Sequence, residues 1–341
     1  QGSDMRQPRA VCALTVAALL GCALNALADV EAGPGEAALF RRILAESDAY
    51  DVKWLNSYSA QYSSRWVERD ASGEIVSSTT RAGLALAHGG FTSAQGTEVD
   101  HLSDRGETRD VHWVTDGSIN VQKIGMKTLL STGPGSGMRE DPALPMMWMS
   151  LGKYWQATHP DIPLADLLTG ETAPGTSMLL YGERVSTSER LTALSAREEK
   201  VDGRTLYRLS LTTTRTAGSS SHSGKTEFLL DPQKAYRMLR VTNHGGSESD
   251  PLIRAISLAQ NDEGVWYPAR VQLSPKPYTR EAWVPPVGDP IPASEGTLTR
   301  TTDFTEFTTS PHIPDDAFAA IPAEGSVARN EVLQPARDAL D

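Results

Sequence analysis

The chain has 341 residues, with 32 Lys and Arg against 43 Asp and Glu and a net charge of −11. A composition that is 39% hydrophobic and 22% charged belongs to an ordinary globular protein and excludes a disordered or fibrous chain. The acidic balance argues against nucleic acid or an anionic membrane surface as the main partner, because both are met by a basic face.

The first element reads as an address. From Met5 the chain has the form of a secretory signal peptide: Arg6 and Arg9 are its charged start, and Ala10 to Leu20 its apolar run. That run is shorter than the roughly 20 apolar residues needed to span a bilayer. Gln1 to Asp4 precede it and are set aside. Ala26-Leu27-Ala28 is an A-x-A cleavage site that would leave Asp29 as the mature N-terminus. Leu19-Leu20-Gly21-Cys22 resembles a lipobox and offers Cys22 as an alternative lipidation site. The apolar stretch Ala23 to Leu27 favours the first exit. The sequence has only two cysteines, Cys12 and Cys22, and both lie in this leader. The mature chain is then expected in the periplasm, without disulfides or a thiol nucleophile. No later run is long and apolar enough to span a membrane in the mature form. Residues 29–325 read as one domain, and 326–341 as a thinly apolar tail.

Glu36 to Ala49 puts Leu39, Phe40, Ile43 and Leu44 on one helical face. Strand-like runs separated by turn residues follow: Tyr62 to Arg69, Glu74 to Leu86, Val111 to Thr115 and Ser118 to Ile124. The Gly/Pro/Ser-rich stretch Ser131 to Gly137 reads as a loop, and residues 138–170 as a helical insertion. Strand patterning resumes at Leu191 to Lys200, Leu206 to Thr214, Thr226 to Leu230 and Tyr236 to Thr242. Leu252 to Gln260, Val265 to Leu273 and Thr297 to Thr308 complete it. Asp70-Ala71-Ser72-Gly73, Asp116-Gly117, Asp202-Gly203 and Asn261-Asp262-Glu263-Gly264 are hairpin turn signals. The fold class implied is mainly β with helices (α+β), built on an antiparallel sheet with one face in water.

Groups that carry chemistry are sparse. Gly218 to Thr226 superficially resembles a phosphate-binding loop, but five residues separate its glycines and Lys225 opens a strand rather than a helix. It reads as a polar hairpin tip. The seven histidines are scattered without metal-ligand spacing. No nucleophile elbow or carboxylate pair stands out, so the expectation is a protein that is not an enzyme and uses no cofactor or metal. A hydrolase site assembled from distant residues is the remaining catalytic alternative. The cluster Met146, Met147, Trp148, Met149, Leu151, Tyr154 and Trp155 reads either as a helix capping the core or as the wall of an apolar pocket.

Four stretches carry a family resemblance: Trp66 to Gly73, Val111 to Ser118, Phe228 to Arg237 with Gly264 to Val271, and Phe304 to Phe318. In this order they resemble the LolA/LolB-like outer-membrane lipoprotein-sorting family of lipoprotein carriers. The resemblance implies a strongly curved antiparallel half-barrel with helices in its concave, apolar side. It also implies non-catalytic binding of lipid or acylated lipoprotein in the envelope. Burial of an acyl chain needs only apolar surface, worth about 0.8 kcal/mol per CH₂. Trp66, Leu84, Leu86, Trp113, Ile119 and Val121 are the expected inward residues of the first half. Leu209, Leu211, Phe228 and Leu230 are those of the second, with Trp148 and Met149 as the lid. An envelope sensor or scaffold that binds a protein partner is the alternative.

Overall fold

A computed structural model describes residues 32–89, 91–101, 108–115, 119–124, 127–132, 148–158, 177–180, 183–217, 220–244, 251–280, 294–313 and 317–318. The expected leader with Cys22, residues 133–137, most of the 138–170 insertion and the tail lie outside them.

Helix α1 (Pro34–Tyr50) covers the expected run. Pro34 supplies a preset φ at the first position, and the Glu36 carboxylate reaches back to accept from the Gly33 N–H at 3.1 Å. The helix runs into a π-helical turn, Asp51–Leu55. β1 (Ser57–Asp70), β2 (Ile75–His88), β3 (Phe91–Asp100), β4 (Thr108–Thr115), β5 (Ile119–Ile124) and β6 (Lys127–Thr132) follow as a meander. Helix α2 (Leu151–Thr158) interrupts. A second meander comprises β7 (Ser177–Leu180), β8 (Glu183–Val201), β9 (Arg204–Ala217), β10 (Ser220–Asp231) and β11 (Arg237–His244). It ends with β12 (Leu252–Gln260), β13 (Trp266–Arg280) and β14 (Ser294–Thr309). Together these form one open, antiparallel sheet of 14 strands in the order β6-β5-β4-β3-β2-β1-β14-β13-β12-β11-β10-β9-β8-β7.

The turns behave as their residues dictate. Asp70 Oδ1 accepts from the N–H of Ser72 at 2.9 Å and of Glu74 at 3.0 Å, closing β1 onto β2. Asp202 and Gly203 both have positive φ, 51° and 76°, as the favoured two-residue hairpin between β8 and β9 demands. Three strands, β3, β6 and β7, have no counterpart among the expected runs. The expected tip 218–224 is shorter than its composition suggests. β10 begins at Ser220 and pairs with β9 from there, so Lys225 lies inside a strand opposite Thr212.

Register decides which side chains share a face. Tyr58, Ala60 and Tyr62 of β1 lie opposite Ala87, Ala85 and Gly83 of β2. Across the seam, Tyr62 pairs with Phe304 of β14. The same face continues through Val271, Ile256, Val241, Phe228 and Leu209. Phe40, Ile43 and Leu44 of α1 and Leu151, Tyr154 and Trp155 of α2 join these residues in one buried cluster. Both helices therefore seal the same side of the sheet.

Gly83 and Gly96 stand directly opposite each other between β2 and β3. A Cβ on Gly83 would run into the Gln95 carbonyl and the Gly96 backbone. Gly83→Ala is expected to destabilise by about 1–3 kcal/mol, the usual range for overpacking. The check is a lower urea midpoint with an unchanged slope.

Candidate ligand pocket

Where β1, β12, β13 and β14 pass beneath Trp148, the core-side face does not fill. It leaves a cavity of about 90 Å³, or about 550 Å³ of empty space when its open mouth is included. Trp66, Trp148, Leu252, Val271, Leu273 and Leu298 make its apolar wall. Arg254, Lys276, Arg300 and Thr302 supply its polar groups. The two tryptophans are faced by cations. Arg254 Cζ lies 5.4 Å from the Trp148 ring centroid and Arg300 Cζ 5.1 Å from that of Trp66. Arg81, ion-paired with Glu98, also faces Trp66, at 5.5 Å. Arg254 Nη1 donates to Asn243 Oδ1 at 2.8 Å, and the same oxygen accepts from the Tyr154 hydroxyl at 2.9 Å. One amide thus ties β12 to α2. A second depression, more open and larger at about 560 Å³, lies beside the start of α1, bordered by Gly33, Glu36, Ser195, Ser210 and Lys225.

The position of Trp148 is set by a buried charge. Arg237 is only 2% exposed. Its Nη1 donates to Asp51 Oδ1 at 2.7 Å and to the Met149 carbonyl at 3.1 Å, while Nη2 donates to Ser47 Oγ at 3.0 Å. The Tyr50 ring lies 4.7 Å from its Cζ. One guanidinium therefore joins the end of α1, the π turn, the segment before α2 and the start of β11. The tight β10–β11 connection aims it. Asp231 caps the short 3₁₀ turn Pro232–Lys234, and Ala235 and Tyr236 then adopt positive φ. Burial pushes the Asp51 carboxyl up, and Arg237 only partly holds it down. Burial pushes the nearby Lys153 ammonium below its ordinary range, opposed by Asp51.

The expected site residues separate into four groups. Trp66 and Trp148 line the pocket. Met149, Leu209, Leu211, Phe228 and Leu230 are each 1% exposed or less and belong to the packed core. Phe228 meets Tyr154 edge-on, with centroids 5.5 Å apart, and Trp155 at 6.5 Å. That part of the interior is filled by α2, so Met149 is a core residue rather than a lid. Leu84 and Leu86 correct the expectation of an inward position. They pair with Gln61 and Ser59, on the face opposite Tyr58 and Tyr62. In Leu84-Ala85-Leu86-Ala87 every residue is apolar, so alternation cannot name the inward pair, and the small alanines take it. Trp113 pairs with Ala94, and Val121 with Val114, so register puts these two on opposite faces. Ile119 pairs with Thr132 and shares the Val121 register.

Lys276, Arg254 and Arg300 escaped the reading of the sequence. The signal was a cation at core-facing parity, as in Leu252, Arg254, Ile256 and in Leu298, Arg300, Thr302. His88 lies 3.3 Å from Ser57 Oγ, His112 3.3 Å from Ser93 Oγ and His244 3.3 Å from Glu227, yet none of them borders either pocket. Among the described residues no cluster of His, Cys, Asp or Glu is arranged to hold a metal ion, and no helix is long and apolar enough to cross a membrane.

No protein-family model matches the sequence, and no curated protein matches it. In structure the chain is similar to a DUF1329 family protein from Desulfovibrio piger, at 12% identity and a TM-score of 0.40, covering 81% of this chain and 94% of the other. It is similar to a LolA superfamily protein from Nitrosomonas europaea at 11% identity and a TM-score of 0.36, covering 82% and 96%. A more distant likeness is to kievitone hydratase from Nectria haematococca, at 8% identity and a TM-score of 0.17, covering 72% and 89%. Likeness at this level assigns no family.

Proposed function

We propose that the protein is a non-catalytic binding protein of the bacterial envelope that shelters an apolar chain, from a lipid or an acylated lipoprotein, in the pocket beneath Trp148. In this reading the sheet wraps as a half-barrel around α1 and α2, and the unfilled end of its hollow is the binding site. The pocket itself carries the proposal. Its cavity of about 90 Å³ is smaller than the roughly 300–1,000 Å³ of a site that encloses a whole small ligand, so it takes the end of a chain rather than all of it, and its wall is aromatic and aliphatic. Each buried CH₂ contributes about 0.8 kcal/mol, so such a wall can hold a chain without a reactive group.

The test is native mass spectrometry with lipid extraction on residues 29–341, purified from a periplasm without detergent. Near-stoichiometric lipid is the expected result, and Leu298→Glu, at a half-buried wall position, should lower occupancy several-fold while the melting curve persists. A stable protein that carries no lipid and takes up no added laurate would overturn the reading. The filled interior around Phe228 and Tyr154 favours a second one, an envelope sensor or scaffold. An empty protein that cross-links to one defined partner would establish it.

A further inference from the structure

We propose that the open cavity beside the start of α1 is a second binding site, which takes a neutral mono- or disaccharide. It shares no lining residue with the pocket beneath Trp148, so it stands independently of the acyl-chain reading. Its volume of about 560 Å³ lies within the roughly 300–1,000 Å³ of sites that hold a small ligand. Its walls suit a polar one. Leu194 is the one large apolar side chain among the described residues that border it, while Ala32, Gly33 and Ala193 are too small to fill it. An acyl chain would gain little there.

Three hydroxyls border this space from one patch of the sheet. Ser195 of β8 pairs with Ser210 of β9, and Ala193 with Thr212, so the register puts all four on the same face. Lys225 of β10, opposite Thr212, extends the row. Ser210 is only 9% exposed. Among the described residues neither its hydroxyl nor those of Ser195 and Thr212 makes a hydrogen bond; Thr212 accepts from Thr192 Oγ1 at 3.1 Å through its backbone carbonyl alone. A buried hydroxyl is normally bonded, and the cavity these three border is where their partner would sit. The charged groups, by contrast, are already balanced. Lys225 Nζ lies 3.0 Å from Glu227 Oε1. The Glu36 carboxylate accepts from the Gly33 N–H at 3.1 Å, at the end of α1 where a helix favours an anion. A charged ligand would therefore neutralise nothing. Both groups keep bonding capacity, the carboxylate in further lone pairs and the ammonium in further protons. A sugar hydroxyl donates and accepts at once, so a ring of them can meet Glu36, Lys225 and the three hydroxyls without carrying charge.

Full-length protein is screened by saturation-transfer-difference NMR against glucose, galactose, mannose, N-acetylglucosamine, maltose and lactose, with glucuronate and glucosamine as charged probes. At least one neutral sugar is expected to bind, and more tightly than either charged probe. Ser210→Ala and Thr212→Val should each weaken that sugar about two- to tenfold, as the loss of one hydrogen bond does, while the melting curve persists. Ala193→Phe, which fills the cavity beside Thr212, should abolish binding; Ala193 is half-buried, so this variant remains informative if the Ser210 variant does not fold. Binding of no neutral sugar overturns the proposal, as does tightest binding of a charged probe. A sugar signal that survives Ala193→Phe overturns it too, because the sugar then sits elsewhere.

Discussion

Arg237→Met should lower the stability of the protein by about 3–5 kcal/mol, the range seen when one partner of a buried ion pair is removed. The methionine matches the arginine stem in bulk, so the loss is electrostatic rather than a cavity. It leaves the Asp51 carboxylate, the Met149 carbonyl and Ser47 Oγ without the donor they share. The deficit should depend on pH with a definite sign. The folded-state pKa of Asp51 lies above its ordinary value even with Arg237 present, because burial outweighs the guanidinium. Removing the cation raises it further. The folded variant then holds a proton where the unfolded chain has released it, so the variant's stability falls as pH rises from about 4 through the raised value. Urea melts at pH 5 and pH 7 should therefore show the larger deficit at pH 7. Pairing the variant with Asp51→Ala should recover part of the loss, since the second change removes the stranded charge. A pH-independent deficit would show that Arg237 acts through packing alone.

Phe228→Ala should cost about 3–5 kcal/mol as well, through a different mechanism. The ring is fully buried and sits where α2 meets β9, β10 and β11. Its edge-on contact with Tyr154 and its proximity to Trp155 tie α2 to the sheet in that region. Tyr154 cannot simply fall into the space, because its hydroxyl is bound to Asn243. A cavity is the expected outcome, and a hydrophobic probe such as benzene should bind there and restore part of the stability. Phe228→Leu should cost distinctly less.

The hairpins were legible because their turns are local chemistry. Asp202-Gly203 allows one geometry, and Asp70 closes its turn with its own carboxylate, so both strand pairs follow from a few residues. The helix at Glu36 to Ala49 was legible from periodicity and structurally extends only slightly further. β3 was missed because Thr92-Ser93-Ala94-Gln95-Gly96 has little apolar alternation. Its place is set by pairing on both sides, and by two glycines that let the backbones approach. Parity was the chief obstacle at the site. Trp66 and Trp148 stood out as large aromatics, but the choice of Leu84 and Leu86 over Ala85 and Ala87 needed the register with β1. The cations of the pocket looked like surface charges until the sheet put Leu252, Arg254 and Ile256 on one face. Arg237 was invisible for the same reason, since its partners lie far away along the chain.

The strand order also sets the moment at which the pocket comes into existence. Within each meander, neighbours along the chain are neighbours in the sheet, so each half closes through local connections at little entropic cost. Among the described strands the two halves of the sheet are joined where β1 pairs with β14, a junction that brings Ser64 and Thr302, 238 residues apart, within 2.6 Å. Trp66 stands on one side of that junction, and Leu298, Arg300 and Thr302 on the other. Among the described strands β14 is the last to leave the ribosome. Until it arrives, β1 presents an unpaired edge and the binding wall is missing one side. A chain truncated before Ser294 would keep nearly all its hairpins and have no site, so ligand competence is a property of the finished chain rather than of either half.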